Sequence, residues 1–332
     1  MIITRTPFRI SFFGGGTDFP AWYRENGGAV LSTTIDKYCY VYCRKLPPFF
    51  NYKHKVVFFS KQEAFNEIDE IQHPAVREVY RFMKVSDGLV MQHDGDLPSH
   101  SGLGSSSAFT VGLLHALYTL QGKMVTKKRL ALEAIRIEQE MIREAVGSQD
   151  QIAVAFGGLN KIVFSSNQNI EVNPVTIGAD KVQLLQNHLM LFFTGFARFA
   201  TEIEQDKMNQ LDKRYKELKA MHAMVDQAID ILNADADNID EFGKLLHETW
   251  TMKRVLSDKV SNGHIDDIYE TARKAGALGG KILGAGGGGF ILFYVKPGLK
   301  DAVKQALHKL LHVPFRFDTI GSQVIYYSEG SL

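Results

Sequence analysis

The chain is short of the features that would place it outside the cell, in a membrane or on a nucleic acid. Among 332 residues there are two cysteines, Cys39 and Cys43, both in the alternating run Tyr38-Cys-Tyr-Val-Tyr-Cys43. Four strand residues advance about 13 Å, too far for the pair to bridge, so no disulfide framework is implied. Charge of one sign is missing as well. Lys and Arg number 38 and Asp and Glu 37, for a formal charge of +1, which removes the concentrated basic face that a nucleic-acid or membrane-surface partner needs. The cluster Lys127-Lys128-Arg129 reads as the solvated first turn of a helix. No apolar run reaches membrane-spanning length, and the start lacks the charged, apolar, small order of a secretory signal. A cytoplasmic protein is the expectation. Internal repeats and low-complexity linkers are also absent. What remains is a chain with 45% hydrophobic and 23% charged residues, enough for a substantial core and, at this length, two domains.

Phe8, Ile10 and Phe12 alternate with Arg9 and Ser11, the pattern of a strand with one apolar face, which ends in Gly14-Gly-Gly-Thr-Asp18. Further strands are expected at 29–35, 37–44, 56–59, 89–93, 159–164, 189–194, 290–295 and 324–327. Helices are expected at 107–121, 126–145, 239–256, 265–275 and 299–311. A long amphipathic helix is expected over 202–232, where Met208, Leu211, Tyr215, Leu218, Met221 and Val225 recur every three or four residues. The reading is α+β, with domains at 1–175 and 176–332 and a cleft between them.

The densest chemical signal is Pro98-Ser-His-Ser-Gly-Leu-Gly-Ser-Ser-Ser-Ala108, which runs directly into an apolar helix. Gly102 and Gly104 let backbone approach an anion. Ser105, Ser106 and Ser107 fall where a new helix presents unpaired N–H groups and its positive end. Their hydroxyls suit phosphate, a divalent cation or an ordinary helix cap. A second glycine run, Gly279 to Phe290, contains the spacing of a dinucleotide fingerprint at Gly284, Gly286 and Gly289. Its context is wrong for one, because a helix precedes and a strand follows. No segment satisfies the Walker lysine loop.

Glu138 interrupts the buried stripe of Leu130, Ala134, Ile135, Met141 and Ile142, and an inward carboxylate needs a partner. That partner is either a core salt bridge or a metal ion at the cleft. Asp150 follows Gly147 and precedes the apolar run 152–156; taken singly it reads as a helix cap.

Taken together, these pieces resemble the GHMP kinases, the small-molecule kinases that include galactokinase, mevalonate kinase and homoserine kinase. Thr6-Pro-Phe-Arg9 with Gly14-Gly-Gly-Thr-Asp18 is similar to the first family motif, Pro98 to Ala108 to the second, and Lys281 to Phe290 to the third. The resemblance implies a two-domain fold, with an N-terminal domain like ribosomal protein S5 domain 2 and a ferredoxin-like C-terminal domain. It implies ATP and Mg2+ as cofactors. Gly102, Leu103, Gly104, Ser105, Ser106 and Ser107 would bind the ATP phosphates, and Ser106 or Ser107 would join Glu138 at the magnesium. Asp150 would be the catalytic aspartate and Arg9 the basic residue paired with it.

The substrate is narrowed by one departure. Galactokinases carry Gly-Glu-His-x-Asp-Tyr after the first strand, whereas Gly14-Gly-Gly-Thr-Asp-Phe19 stands here. Asp18 is kept as a ligand for a sugar hydroxyl, with Gly16 and Thr17 beside it, while the pocket is opened. This segment, with 194–202 and His247-Glu-Thr-Trp-Thr-Met-Lys253, resembles bacterial kinases of D-glycero-D-manno-heptose 7-phosphate, which phosphorylate the anomeric O1 to give the 1,7-bisphosphate. Fucokinases are the nearest alternative, and a non-catalytic sugar sensor the alternative of another class. For a phosphorylated sugar, Arg198 and Lys253 are the candidate phosphate ligands. The partner implied is a small-molecule sugar phosphate, with no nucleic acid and no membrane, and a homodimer is compatible with the reading.

Overall fold

The structure is a computed structural model that describes residues 1–59, 61–99, 101–167, 169–195, 200–210, 212–234 and 238–328. The chain opens with strand β1 (Ile2–Phe13), a short helix α1 (Pro20–Asn26) and strand β2 (Gly28–Lys45). Sequence patterning divides β2 at Asp36-Lys37, but the strand is continuous. Its register against β1 slips by a bulge between Pro7 and Phe8, and the Asp36 backbone is paired with that of Arg316. The polar dipeptide therefore marks a bulge at which β2 changes neighbours, not an end.

Strands β3 (His54–Phe58), β4 (Lys61–Phe65) and β5 (Leu89–Gly95) extend the sheet, and helix α2 (Pro74–Phe82) lies between β4 and β5. The apolar helix α3 (Ser105–Leu120), with α4 (Lys127–Arg136) and α5 (Gln149–Phe156), packs behind it, followed by β6 (Asn160–Phe164) and β7 (Ile170–Pro174). The helix expected over 126–145 ends early: a π-helical turn at Ile137–Met141 closes it, and Arg143 takes a left-handed φ of 64°. Glu138 sits in that turn, an irregularity often found at functional positions.

The second half begins with α6 (Ala179–Asn187) and β8 (Leu189–Phe193). The long helix expected over 202–232 is two helices, α7 (Ala200–Asn209) and α8 (Tyr215–Asn233). The polar stretch between them offers side chains that compete for backbone hydrogen bonds. Then come α9 (Asp240–Val255), α10 (Gly263–Lys274), β9 (Ala277–Ile282), β10 (Phe290–Val295), α11 (Lys300–Ala306), and the short strands β11 (Leu311–His312), β12 (Phe317–Asp318) and β13 (Gln323–Tyr327). The Gly-rich run thus joins two antiparallel strands, β9 and β10. A strand precedes it where sequence suggested only a helix, and no helix follows, so it is not a dinucleotide turn.

Two sheets result. The smaller is antiparallel, in the order β11-β8-β10-β9; the larger has nine strands. β7, the last strand of the larger sheet before the smaller one begins, ends at Pro174, and β8 opens the smaller sheet at Leu189, but the chain does not stay with the smaller sheet to its end. β12 pairs with β2 and β13 with β1, so the tail returns to the first sheet. The tail buys back the otherwise open edge of β1, a pairing that local periodicity cannot reveal. Phe242 of α9 meets Phe12 and Phe13 edge-on, with ring centroids 5.4 and 5.0 Å apart, which packs the second unit onto β1 beneath the cleft. No helix among the described residues is long and apolar enough to cross a membrane.

Candidate active site

The three glycine-rich segments converge on one cleft. Gly102, with φ of 83°, lies so close to the β9–β10 turn that a Cβ there would sit 2.5 Å from the Leu283 carbonyl oxygen; a Cβ on Gly284 would meet the Gly102 backbone at the same distance. Only glycine permits this contact, and it presses the second motif against the third. Gly104 ends the loop in the left-handed region with φ of 74° and starts α3. Ser105, Ser106 and Ser107 form the first helical turn and line the cleft, where the start of the helix and its dipole favour an anion. Leu103 has its side chain fully in the core, and its carbonyl accepts from the Arg9 N–H.

β1 delivers Arg9 to the same place. Its guanidinium grips Asp150 through two bonds, Nε to Oδ1 and a terminal nitrogen to Oδ2, both 2.7 Å, and its other terminal nitrogen donates to the Gly102 carbonyl at 2.6 Å. Asp150 is not a cap. It lies in the first turn of α5, where Ser148 holds the cap position. Bidentate pairing fixes the carboxylate in plane and register, directly beneath Gly104, whose Cβ would reach Asp150 at 3.4 Å.

Glu138 is buried, with Oε2 accepting from Ser107 Oγ at 2.9 Å and from Gln151 Nε2. Oε1 has no partner, nor does Gln151 Oε1. Burial, then the nearby Glu144, pushes the Glu138 carboxyl up to about 7. An orphaned carboxylate oxygen beside a serine at a phosphate-binding helix end fits a hard divalent cation. Of the two serines proposed for such a cation, Ser107 is the one bonded to Glu138, and Ser106 is its exposed neighbour on the cleft.

On the far side of the Arg9–Asp150 pair, Gly16 and Asp18 line the cleft. Asp18 accepts from the Gly16 N–H at 2.9 Å, and burial, then Asp150, raises its carboxyl to about 6. A Cβ on Gly147 would stand 1.9 Å from Asp18 Oδ2, so that glycine makes room for the carboxylate. Thr17 does not reach the cleft. Its hydroxyl donates to the Gly14 and Ala29 carbonyls at 2.8 and 3.0 Å; it braces the turn that presents its neighbours. Lys253 lines the cleft and is 7% exposed, which removes the reading of it as a solvated surface charge. Arg198 lies outside the described residues. Sequence reasoning assigned no role to Ser11, Glu144, Gln149, Glu204, Lys207 or Lys281, all of which line the cleft. Lys281 stood at the edge of the third motif, and Lys207 was hidden in what read as a uniform helix.

Comparison with known proteins bears on the family. Residues 71–158 match the model of the GHMP kinases N terminal domain, and residues 202–313 that of the GHMP kinases C terminal. The chain is 33% identical over 323 residues, 93% of each protein, to D-glycero-alpha-D-manno-heptose 7-phosphate kinase of Campylobacter jejuni. The chain belongs to the GHMP kinase family. A bifunctional fucokinase/GDP-fucose pyrophosphorylase of Arabidopsis thaliana is 25% identical over 89% of this chain, which spans 30% of that protein. Among solved structures, a D-glycero-D-manno-heptose 1-phosphate kinase from Bacteroides thetaiotaomicron superposes with a TM-score of 0.81 at 22% identity, covering 99% of this chain and 100% of the other; that likeness concerns the fold. This GHMP kinase is an ATP-dependent phosphotransferase and a sugar kinase.

Proposed function

We propose that this GHMP kinase transfers the γ-phosphoryl group of ATP to the anomeric O1 of D-glycero-D-manno-heptose 7-phosphate, giving the 1,7-bisphosphate. The observation that carries the chemistry is the bidentate Arg9–Asp150 pair set against the Gly102–Ser107 loop. The loop and the start of α3 hold the triphosphate. Asp150 faces the space between that loop and Asp18, where it takes the proton from the attacking hydroxyl as the new O–P bond forms and the bond to ADP breaks. Arg9 orients the carboxylate, and its charge favours the developing alkoxide. Asp18 and the Gly16 backbone orient the sugar. Glu138, with Ser106, Ser107 and Gln151, would hold Mg2+, which when bound neutralises charge on the phosphate oxygens.

The heptose assignment is supported by the substrate in the name of the Campylobacter relative. It is supported also by the glycines at positions 15 and 16, where galactokinases bear a glutamate and a histidine. ADP release is measured with Mg-ATP and a panel of heptose 7-phosphate, fucose, galactose and mannose. Turnover of heptose 7-phosphate supports the proposal. Turnover of fucose alone replaces the substrate, and silence with every sugar favours a sensor.

A further inference from the structure

Four cations face the cleft among the described residues: Arg9, Lys207, Lys253 and Lys281. Arg9 is matched by Asp150. The three lysines are 7%, 7% and 2% exposed, and lysines are rarely buried without close counter-charge. Lys281, on β9, gives one proton to the Phe12 carbonyl at 2.8 Å. Lys253, on α9, gives two, to the Ile282 and Gly284 carbonyls at 2.8 and 2.6 Å. Both amino groups are thus tied to backbone carbonyls. Lys207, on α7, makes a long contact to both carboxylate oxygens of Glu204 one turn earlier, at 3.4 Å, and no shorter one is seen among the described residues. They lie close enough to disfavour one another's charge: after burial itself, Lys281 and then Lys207 hold Lys253 well below the usual lysine range. The carboxylates facing them are Asp18 and Glu204, which influence Lys281 and Lys253 respectively. Ser11 lines the same space, and its buried Oγ has no hydrogen-bond partner.

A fold that gathers three buried lysine amino groups and an unsatisfied hydroxyl around one cleft disfavours their charged form, which an anionic ligand would stabilise. We propose that Lys207, Lys253, Lys281 and Ser11 hold the phosphate that the sugar already carries, so that the acceptor must be a sugar phosphate. This rests on the reading of the cleft as a sugar kinase site. Lys253 and Lys281 form a floor fixed by backbone carbonyls. Lys207 reaches the anion from α7, outside that floor, and its point charge needs no fixed plane for recognition.

Lys207→Met tests the assignment, because among the described residues this side chain is bonded to no backbone carbonyl; the relief of repulsion offsets the loss of the Glu204 pair, and the melting temperature should stay within a few degrees of wild type. Calorimetric titration of heptose 7-phosphate, without nucleotide, should show binding weakened about 10- to 100-fold in the variant. Unphosphorylated heptose should bind wild type and variant alike. In turnover, KM for the sugar phosphate should rise by the same factor while KM for ATP stays within about twofold. Equal binding of heptose 7-phosphate by both proteins, or an effect confined to KM for ATP, overturns the proposal and assigns the lysines to the nucleotide. Wild-type turnover of unphosphorylated sugars alone also overturns it, while leaving the sugar kinase standing. Lys207-dependent binding of the sugar phosphate with no turnover would retain the phosphate site and defeat the kinase reading.

Discussion

Replacing Asp18 by Asn should stabilise the protein while damaging sugar binding, with a pH signature that identifies the cause. Asp18 is buried, and its carboxyl is raised from 3.8 to about 6, first by burial and then by Asp150. The folded protein therefore holds this proton more tightly than the unfolded chain does. The associated stability is fully present below 3.8 and is lost as pH rises through about 6. By pH 8 the loss amounts to about 3 kcal/mol, and at pH 4.5 to only about 1 kcal/mol. Asn is neutral at both and can still accept from the Gly16 N–H, so it recovers the difference. For a chain of this size the gain corresponds to a melting temperature about 5 °C higher at pH 8 and about 2 °C higher at pH 4.5. Scanning calorimetry of both proteins at the two pH values reads it, and ADP release should show KM for the sugar raised about tenfold or more. A gain of the same size at both pH values, or a loss at pH 8, would refute the argument that an ionised Asp18 is held against its preference.

Three further outcomes are expected. Asp150→Asn should lower kcat by about 10²- to 10⁴-fold while ATP binding, measured by calorimetry, stays within about twofold; near-normal turnover removes Asp150 from proton transfer. Glu138→Gln should abolish the rise in melting temperature that Mg2+ gives the wild-type protein in the absence of nucleotide, and an undiminished rise would place the cation elsewhere. Thr17→Val should cost about 1–3 kcal/mol, because the Ala29 N–H loses its acceptor and the Ala29 carbonyl a donor, and the cost is read as a lower melting temperature. A specific rise in KM for the sugar at unchanged stability would instead restore Thr17 as a ligand.

Much of the site was legible because its parts are contiguous. Gly102 to Ser107 carry an anion-binding chemistry locally, although a helix cap reads the same way until the other two motifs are set beside it. Glu138 stood out as a carboxylate in an apolar stripe. Asp150 could not be separated from a cap by sequence alone, because its meaning depends on Arg9, 141 positions away. Thr17 was misjudged for a related reason: a threonine in a glycine-rich turn can face the ligand or its own backbone, and only the position of the Ala29 carbonyl decides. The break between α7 and α8 left no glycine or proline to betray it, and with it went Lys207. The return of β13 to the edge of β1 is a non-local pairing, invisible to periodicity.

The central claim is transfer of a phosphoryl group from ATP to O1 of a sugar that keeps the phosphate it arrived with. Phosphorus NMR of a reaction containing Mg-ATP and heptose 7-phosphate tests it most directly. A new resonance coupled to the anomeric proton is expected, with the 7-phosphate signal retained and ADP formed in equal amount. Phosphate on another carbon, or ATP loss that yields only inorganic phosphate, would contradict it.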